Sequence, residues 1–250
     1  MTPLLEVQNL GKSYGAVRAL EGVDLTIHAG ETVALIGDNG AGKSTLIRLL
    51  SGADRPSEGT IRLDGEAVRF ASPAESLASG IATIWQDLAL APRLSIAQNV
   101  FMGGERLRWP AWLGLLDHAR MRAEAREHLS RFGFSVTDMD RPVADLSGGQ
   151  RQAVALARAL RWQARIVIMD EPTAALGVAE SRMVLDLIGR LHEQGVTILL
   201  VSHDMDHVAA VASRAIVLKR GRKAGEMAAR DPIALAHAIM SGHVPEMEPA

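Results

Sequence analysis

Nine consecutive residues carry the strongest chemical signal in this chain of 250: Gly37-Asp38-Asn39-Gly40-Ala41-Gly42-Lys43-Ser44-Thr45. Glycine, four intervening residues, then glycine, lysine and a hydroxyl residue is the spacing of a phosphate-binding loop. Its glycines relieve the clash that a Cβ would bring, so successive N–H groups point into one concavity. A helix opening at the loop's end adds its positive pole, and together they suit a polyphosphate. In such a loop Lys43 reaches the β- and γ-phosphates and the Ser44 hydroxyl coordinates Mg²⁺. The flanks support this reading. Thr32–Ile36 is apolar and β-branched like a buried strand, and Leu46–Leu50 reads as a helix that stops at Ser51-Gly52.

A second group of residues supplies what hydrolysis of a nucleotide needs. Arg165–Met169 is an apolar strand that runs into Asp170-Glu171, placing two carboxylates at a strand's carboxyl end, where open α/β sheets bind ligands. There Asp170 would support Mg²⁺ through water, and Glu171 would polarise the attacking water as general base. His203 follows the apolar run Thr197–Val201; on a parallel sheet that strand end is expected beside the one carrying Glu171, within reach of the γ-phosphate. Gln86 ends the run Ile81–Trp85 and offers an amide to Mg²⁺ or to the lytic water. Tyr14 sits in an early turn, where its ring could stack on adenine or serve as an ordinary surface tyrosine. Finally, Leu146-Ser147-Gly148-Gly149-Gln150 opens a helix with a serine and two glycines, which makes a second anion-binding helix end.

The elements that must position these residues alternate in type. The first thirty residues turn and alternate like antiparallel β structure, with another short β stretch at Thr60–Leu63. Ser72-Pro73 reads as a helix start, leading to Ser79-Gly80. From about residue 87 to 161 the chain reads as mostly helical, with polar and proline-containing breaks. Strand and helix then alternate through Ile166–Met169, Val178–Gln194, Thr197–Val201 and Met205–Ala212, which implies parallel pairing. Ala215–Leu218 and the turn after it suggest a closing hairpin, with the basic residues Lys219–Lys223 at a solvated tip. The tail after Gly242 is expected to fray.

Composition narrows the class. Hydrophobic residues make up 48% and charged residues 22%, ordinary for a globular protein. A net charge of −2 argues against a broad nucleic-acid-binding face, and the lack of cysteine excludes disulfides and thiolate metal sites. No secretory leader is expected at the start of the chain. No run approaches the ~18 apolar residues of a membrane span, so a membrane role is expected to come through a partner.

Taken in order and spacing, Tyr14, Gly37–Thr45, Gln86, Leu146–Gln150, Met169–Glu171 and His203 resemble the ATP-binding cassette ATPases over nearly the whole chain. The resemblance implies an α/β, P-loop NTPase core with a mainly parallel sheet, an antiparallel β subdomain and an inserted helical subdomain. The core would comprise about 1–86 and 162–241, the helical part about 87–161. It further implies that two such subunits, as a homodimer, sandwich ATP and Mg²⁺ between the phosphate loop of one and Ser147–Gln150 of the other.

Two stretches resemble the monosaccharide importers of ribose, xylose and fructose type: Gln86–Leu90 with Asn99–Gly103, and Glu171–Ser181. Many cassettes carry aspartate where this chain has Gly177; its absence matches that branch. The implied partners are an integral-membrane permease, gripped by the helical part at the cytoplasmic face of the membrane, and indirectly a periplasmic or lipid-anchored solute-binding protein. Trp109 and Trp112 lie near this region, and core packing is the use expected of either. Nucleic acid is not an expected partner. Two other readings remain at this stage: a soluble cassette in iron–sulfur assembly, translation or repair, and a non-hydrolysing, nucleotide-gated subunit.

Overall fold

The site-bearing sheet is built around β3 (Thr32–Ile36), all five residues of which are buried. The computed structural model describes residues 3–244; the expected fraying tail lies, from residue 245 onward, outside the described residues. Six strands run in the order β10-β9-β3-β8-β7-β6, with β6 at Ile81–Ile84, β7 at Ile166–Asp170, β8 at Thr197–Val201, β9 at Arg214–Lys219 and β10 at Arg222–Ala228. Pairings from β9 to β6 are parallel, and β10 closes the edge as an antiparallel hairpin with β9. A second, antiparallel sheet has the order β2-β1-β4-β5, from β1 (Leu5–Tyr14), β2 (Val17–Ile27), β4 (Glu58–Leu63) and β5 (Glu66–Val68). The hairpin of β1 and β2 is longer than the short stretches legible in the sequence, because bulges carry it across Gly11 and Gly22.

Strand alternation splits the core by face, as a period of two requires. Ile166 and Ile168 of β7 pack toward the antiparallel sheet and α1 (Lys43–Leu50). Val167 and Met169 pack on the opposite face, against α3 (Ile96–Phe101), α4 (His118–Arg131), α5 (Gly148–Leu160) and α6 (Val178–Glu193). A third cluster lies beneath α7 (Met205–Val211) and α8 (Pro232–Ser241). Helix α2 (Pro73–Ala78) starts as its Ser72-Pro73 signal predicts, with the Ser72 side chain accepting from the Glu75 N–H. The sequence reading missed α8, although Asp231 caps it and Pro232 occupies its first position.

The stretch between α3 and α4 is one of the expected breaks: Gly103, Gly104, Pro110 and Gly114 interrupt it, and around a single 3₁₀ turn at Ala111–Leu113 it forms a strap closed by an antiparallel bridge between Leu107 and Leu116. Two expectations change here. Trp109 and Trp112 do not pack into the core but lie on this strap, 93% and 83% exposed. The basic turn at 219–223 is not simply solvated. Lys219 donates to the carbonyls of Ile239 and Met240 at the negative end of α8, Arg222 pairs with Glu21 at 2.6 Å, and Lys223 pairs with Glu226 at 2.8 Å.

Candidate functional site

The phosphate loop joins β3 to α1, so it lies at the carboxyl end of the central strand. Gly42 has φ of 105°, and a Cβ there would lie 2.6 Å from the Leu20 side chain and 2.9 Å from the Ala19 carbonyl. Only glycine fits both the dihedral and the space. Gly37, Ala41 and Gly42 are turned toward the protein, while Asp38, Asn39, Gly40 and Ser44 are exposed; Ser44 and Thr45 lie in the first turn of α1. Lys43 folds back over the loop, its Nζ donating to the carbonyls of Gly37 at 2.6 Å and Asp38 at 3.1 Å. Burial lowers the Lys43 pKa, against the opposing charges of Glu171, Asp38 and Asp170. A contact missed in the sequence steadies the loop from outside: the Gly221 N–H, in the β9–β10 turn, donates to the Ala41 carbonyl at 3.0 Å.

Asp170 ends β7 opposite Val201 of β8, and the Glu171 N–H continues the ladder by donating to the Val201 carbonyl at 2.9 Å. Glu171 adopts φ of 51°, a left-handed conformation uncommon for a residue with a side chain. His203 Nδ1 lies 2.6 Å from Glu171 Oε2; the imidazole is largely exposed and the carboxylate mostly buried. Asp170 is half-buried, and its pKa is raised by desolvation and by Glu171, with Lys43 opposing. Lys43, Asp170, Glu171 and His203 thus converge from three separate strand ends.

Gln86 and Glu171 line one cleft of about 350 Å³, which Gly148, Gln152 and Leu176 also line. Ser147 caps α5 in a capping box: its Oγ accepts from the Gln150 N–H, and Gln150 Oε1 accepts from the Ser147 N–H at 3.0 Å. The Ser147 hydroxyl keeps its own proton free to donate. Gly148 donates to Glu180 Oε1 at 3.0 Å, while Glu180 Oε2 accepts at 3.4 Å from the N–H of Gly177, the N-cap of α6. Gly149 is buried behind this end of the helix. Glu180 was not singled out from the sequence, although its place three residues after a helix start was the signal.

Tyr14 ends β1 rather than lying in a free turn. Its hydroxyl donates to Asp54 Oδ2 at 2.6 Å, and Lys12 reaches Asp54 Oδ1 at 2.6 Å while its ammonium lies 4.9 Å from the ring centroid. Hydrogen bonds from Lys12 and Tyr14 pull the Asp54 pKa down to about 2. Neither Lys12 nor Asp54 was picked out in the sequence, because their meeting depends on β1 lying beside the loop after α1.

The donor set suits magnesium. Ser44, Gln86 and Asp170 offer hard oxygens, and the desolvated Asp170 carboxylate would be relieved by a cation. Among the described residues no cluster of three His, Cys, Asp or Glu is placed to cage a metal. Mg²⁺ takes few protein carboxylates and fills its shell with phosphates and water. A separate, largely apolar groove of about 590 Å³ runs beside α2, β6 and α5, lined by Leu77, Trp85, Met102, Ala155 and Trp162 among others. Among the described residues no helix is long and apolar enough to cross a membrane.

A family profile described as ABC transporter matches residues 20–174. The chain is 49% identical over 226 residues to a fructose import ATP-binding protein, FrcA, from Rhizobium meliloti, covering 88% of this chain and 86% of that one. It is 45% identical over 222 residues to a xylose/arabinose import ATP-binding protein, XylG, from Sulfolobus acidocaldarius, covering 89% and 87%. Identity is 44% to a ribose import ATP-binding protein, RbsA 1, from Rubrobacter xylanophilus, over 92% of this chain but 45% of that longer protein. Among solved structures, a nucleotide-free ATP-binding cassette from an ABC transporter superposes with a TM-score of 0.82 at 24% identity, over 98% of this chain and all of the other. The dimeric bacterial cassette MJ0796 superposes with a TM-score of 0.74 at 29% identity, over 91% and 99%.

Proposed function

The chain belongs to the ABC transporter ATPase family, and from that premise we propose that it energises import of a monosaccharide by hydrolysing ATP beneath a membrane permease. The observation that carries this is the likeness, at 44–49% identity over about nine-tenths of the chain, to import ATP-binding proteins for fructose, xylose and ribose. Closeness of Lys43, Asp170, Glu171 and His203 supports active hydrolysis over a non-hydrolysing gate.

In this reading, the N–H groups of Asp38–Thr45 and the Lys43 ammonium hold the triphosphate, and Tyr14 takes the adenine on its ring face. Ser44, Gln86 and Asp170 hold Mg²⁺, which when bound neutralises charge on the phosphates. Glu171 orients a water and accepts its proton as the water oxygen bonds to the γ-phosphorus and the bond to the ADP oxygen breaks. His203 donates a hydrogen bond toward the γ-phosphate and holds the Glu171 carboxylate in place. A second subunit brings Ser147–Gln150 against the same nucleotide, a reading supported by the dimeric state of the cassette MJ0796. On a division into a core of about 1–86 and 162–241 and a helical part of about 87–161, the apolar groove takes its lining from both parts. That groove accepts a cytoplasmic helix of the permease.

Two measurements test the proposal. The purified chain should release phosphate from MgATP, and it should do so faster when reconstituted with a permease and solute-binding protein supplied with fructose, ribose or xylose. Stable isolation with a soluble assembly, with no membrane protein retained, would overturn the transport reading while leaving the ATPase intact.

A further inference from the structure

We propose that the strap between α3 and α4 is a lipid anchor, whose tip inserts into the interfacial layer of an anionic bilayer. Residues 107–109 and 111–116 are all exposed, yet the run Arg106-Leu-Arg-Trp-Pro-Ala-Trp-Leu-Gly-Leu-Leu116 contains no polar uncharged and no acidic side chain. Two of the chain's four tryptophans project here, beside Leu107, Leu113, Leu115 and Leu116, all at least 38% exposed. An apolar cluster of this kind, pushed into water on a short hairpin, has no interior to enter. Tryptophan, leucine and arginine together are the chemistry of a membrane interface, where the indole is apolar in body and polar at one edge.

The backbone of the strap is prepared for a layer poor in water. Arg108 N–H donates to the Leu115 carbonyl at 2.8 Å, Asp117 N–H to that of Arg106 at 2.7 Å, and Leu113 N–H to that of Pro110 at 3.1 Å. Pairing these groups lowers the cost of taking them out of water. The base is held rigidly. Arg161 donates to the carbonyl of Gly104 at 2.9 Å, and Arg106 reaches Glu124 at 2.8 Å while lying over the Phe101 ring.

Charge selects the lipid. The acids that bound the strap are engaged at its base, Asp117 as the cap of α4 and Glu105 accepting from the Gly103 N–H. Arg108 is exposed and, among the described residues, enters no ion pair, so it faces outward as a free cation suited to an anionic headgroup. The strap also begins at Met102 and Gly103, which line the apolar groove, so its base adjoins that groove. The inference needs neither nucleotide nor permease, so it stands or falls separately from the proposed transport function.

The test uses the full chain with vesicles of phosphatidylglycerol and phosphatidylethanolamine, and with phosphatidylcholine vesicles as the neutral control. The chain should sediment with the anionic vesicles, and tryptophan emission should shift to the blue. Trp109→Ser combined with Trp112→Ser should weaken partitioning about tenfold or more, and Arg108→Gln should weaken it on anionic vesicles alone. ATP hydrolysis and the melting temperature should stay unchanged in both variants, because neither touches the core or the nucleotide site. Failure of the chain to bind, or binding indifferent to the tryptophan changes, would overturn the proposal. So would self-association that the same changes abolish without any vesicle binding, or binding to native membranes that prior protease treatment removes.

Discussion

His203 Nδ1 sits 2.6 Å from Glu171 Oε2, across the ends of two neighbouring parallel strands. The register that pairs Asp170 with Val201 leaves Glu171 one residue beyond β7 and His203 two beyond β8, so the imidazole and carboxylate meet without a long loop. This ties the residue proposed as base to the residue proposed to sense the γ-phosphate. Glu171→Gln keeps a hydrogen-bonding side chain of equal size but no basic oxygen. Phosphate release should fall by about 10²–10⁴-fold, with ATP binding retained. His203→Ala should also lower single-turnover hydrolysis, and combining both changes should cost little more than Glu171→Gln alone, because the two act as a unit. Full turnover in Glu171→Gln would remove it as the base.

Asp54 links Tyr14 to Lys12, and its pKa is held at about 2 against an ordinary 3.8 by hydrogen bonds from those two residues. A carboxylate with a lowered folded pKa contributes stability above its unfolded value. That contribution is lost as pH falls through the folded value. The melting temperature of the parent should therefore exceed that of Asp54→Asn above pH 3.8, and the difference should shrink between there and about pH 2. If the Tyr14 ring holds adenine, Asp54→Asn should also raise KM for ATP a few-fold while leaving kcat unchanged.

Gly177 needs no glycine. It caps α6 with φ of −71°, and a Cβ there would meet nothing within 4 Å. Gly177→Asp should fold normally and gain a few tenths of a kcal/mol from the better cap. Glu180→Ala should behave oppositely, costing about 0.5–2 kcal/mol in denaturant melts, since it leaves the N–H groups of Gly148 and Gly177 without their shared acceptor.

Arg214, the first residue of β9, is a charged hub within the main sheet. It is 9% exposed, donates to Glu31 at 2.6 and 3.1 Å, to Glu226 at 2.5 Å and to the Thr26 carbonyl at 2.6 Å. Arg214→Met would leave Glu31 with no cationic partner and Glu226 with Lys223 alone, and should cost about 3–5 kcal/mol. The Arg165–Asp64 pair has similar geometry, at 2.6 Å, but both side chains are about half exposed. Asp64→Asn should cost no more than about 1 kcal/mol. Equal losses from the two changes would contradict this ranking.

Much of the site was legible because its pieces are local. The turn from β3 into α1, the carboxylates closing β7 and the serine cap of α5 each depend on a few adjacent residues whose dihedral and capping preferences act over one turn. Sequence reading failed where partners come from distant segments. Lys219–Lys223 looked like a solvated tip because, Glu226 apart, its partners are distant in sequence: Glu21 and the end of α8. Trp109 and Trp112 looked like core residues because large aromatics usually are, and only the strap's excursion from the helices shows otherwise.

The amino-acid sequence by itself determined the phosphate loop, the strand-end carboxylates, the second anion-binding helix end and the family. Each rests on contiguous residues with intrinsic backbone preferences. Tertiary structure alone decided that His203 meets Glu171, that Asp54 ties down Tyr14, that Gly221 props the loop at Ala41 and that two tryptophans face outward. The physical reason is strand order. Placing β3 between β8 and β9 brings together segments more than a hundred residues apart, placing β7 beside β8 joins Glu171 to His203 across a whole helix, and short-range preferences do not encode either placement.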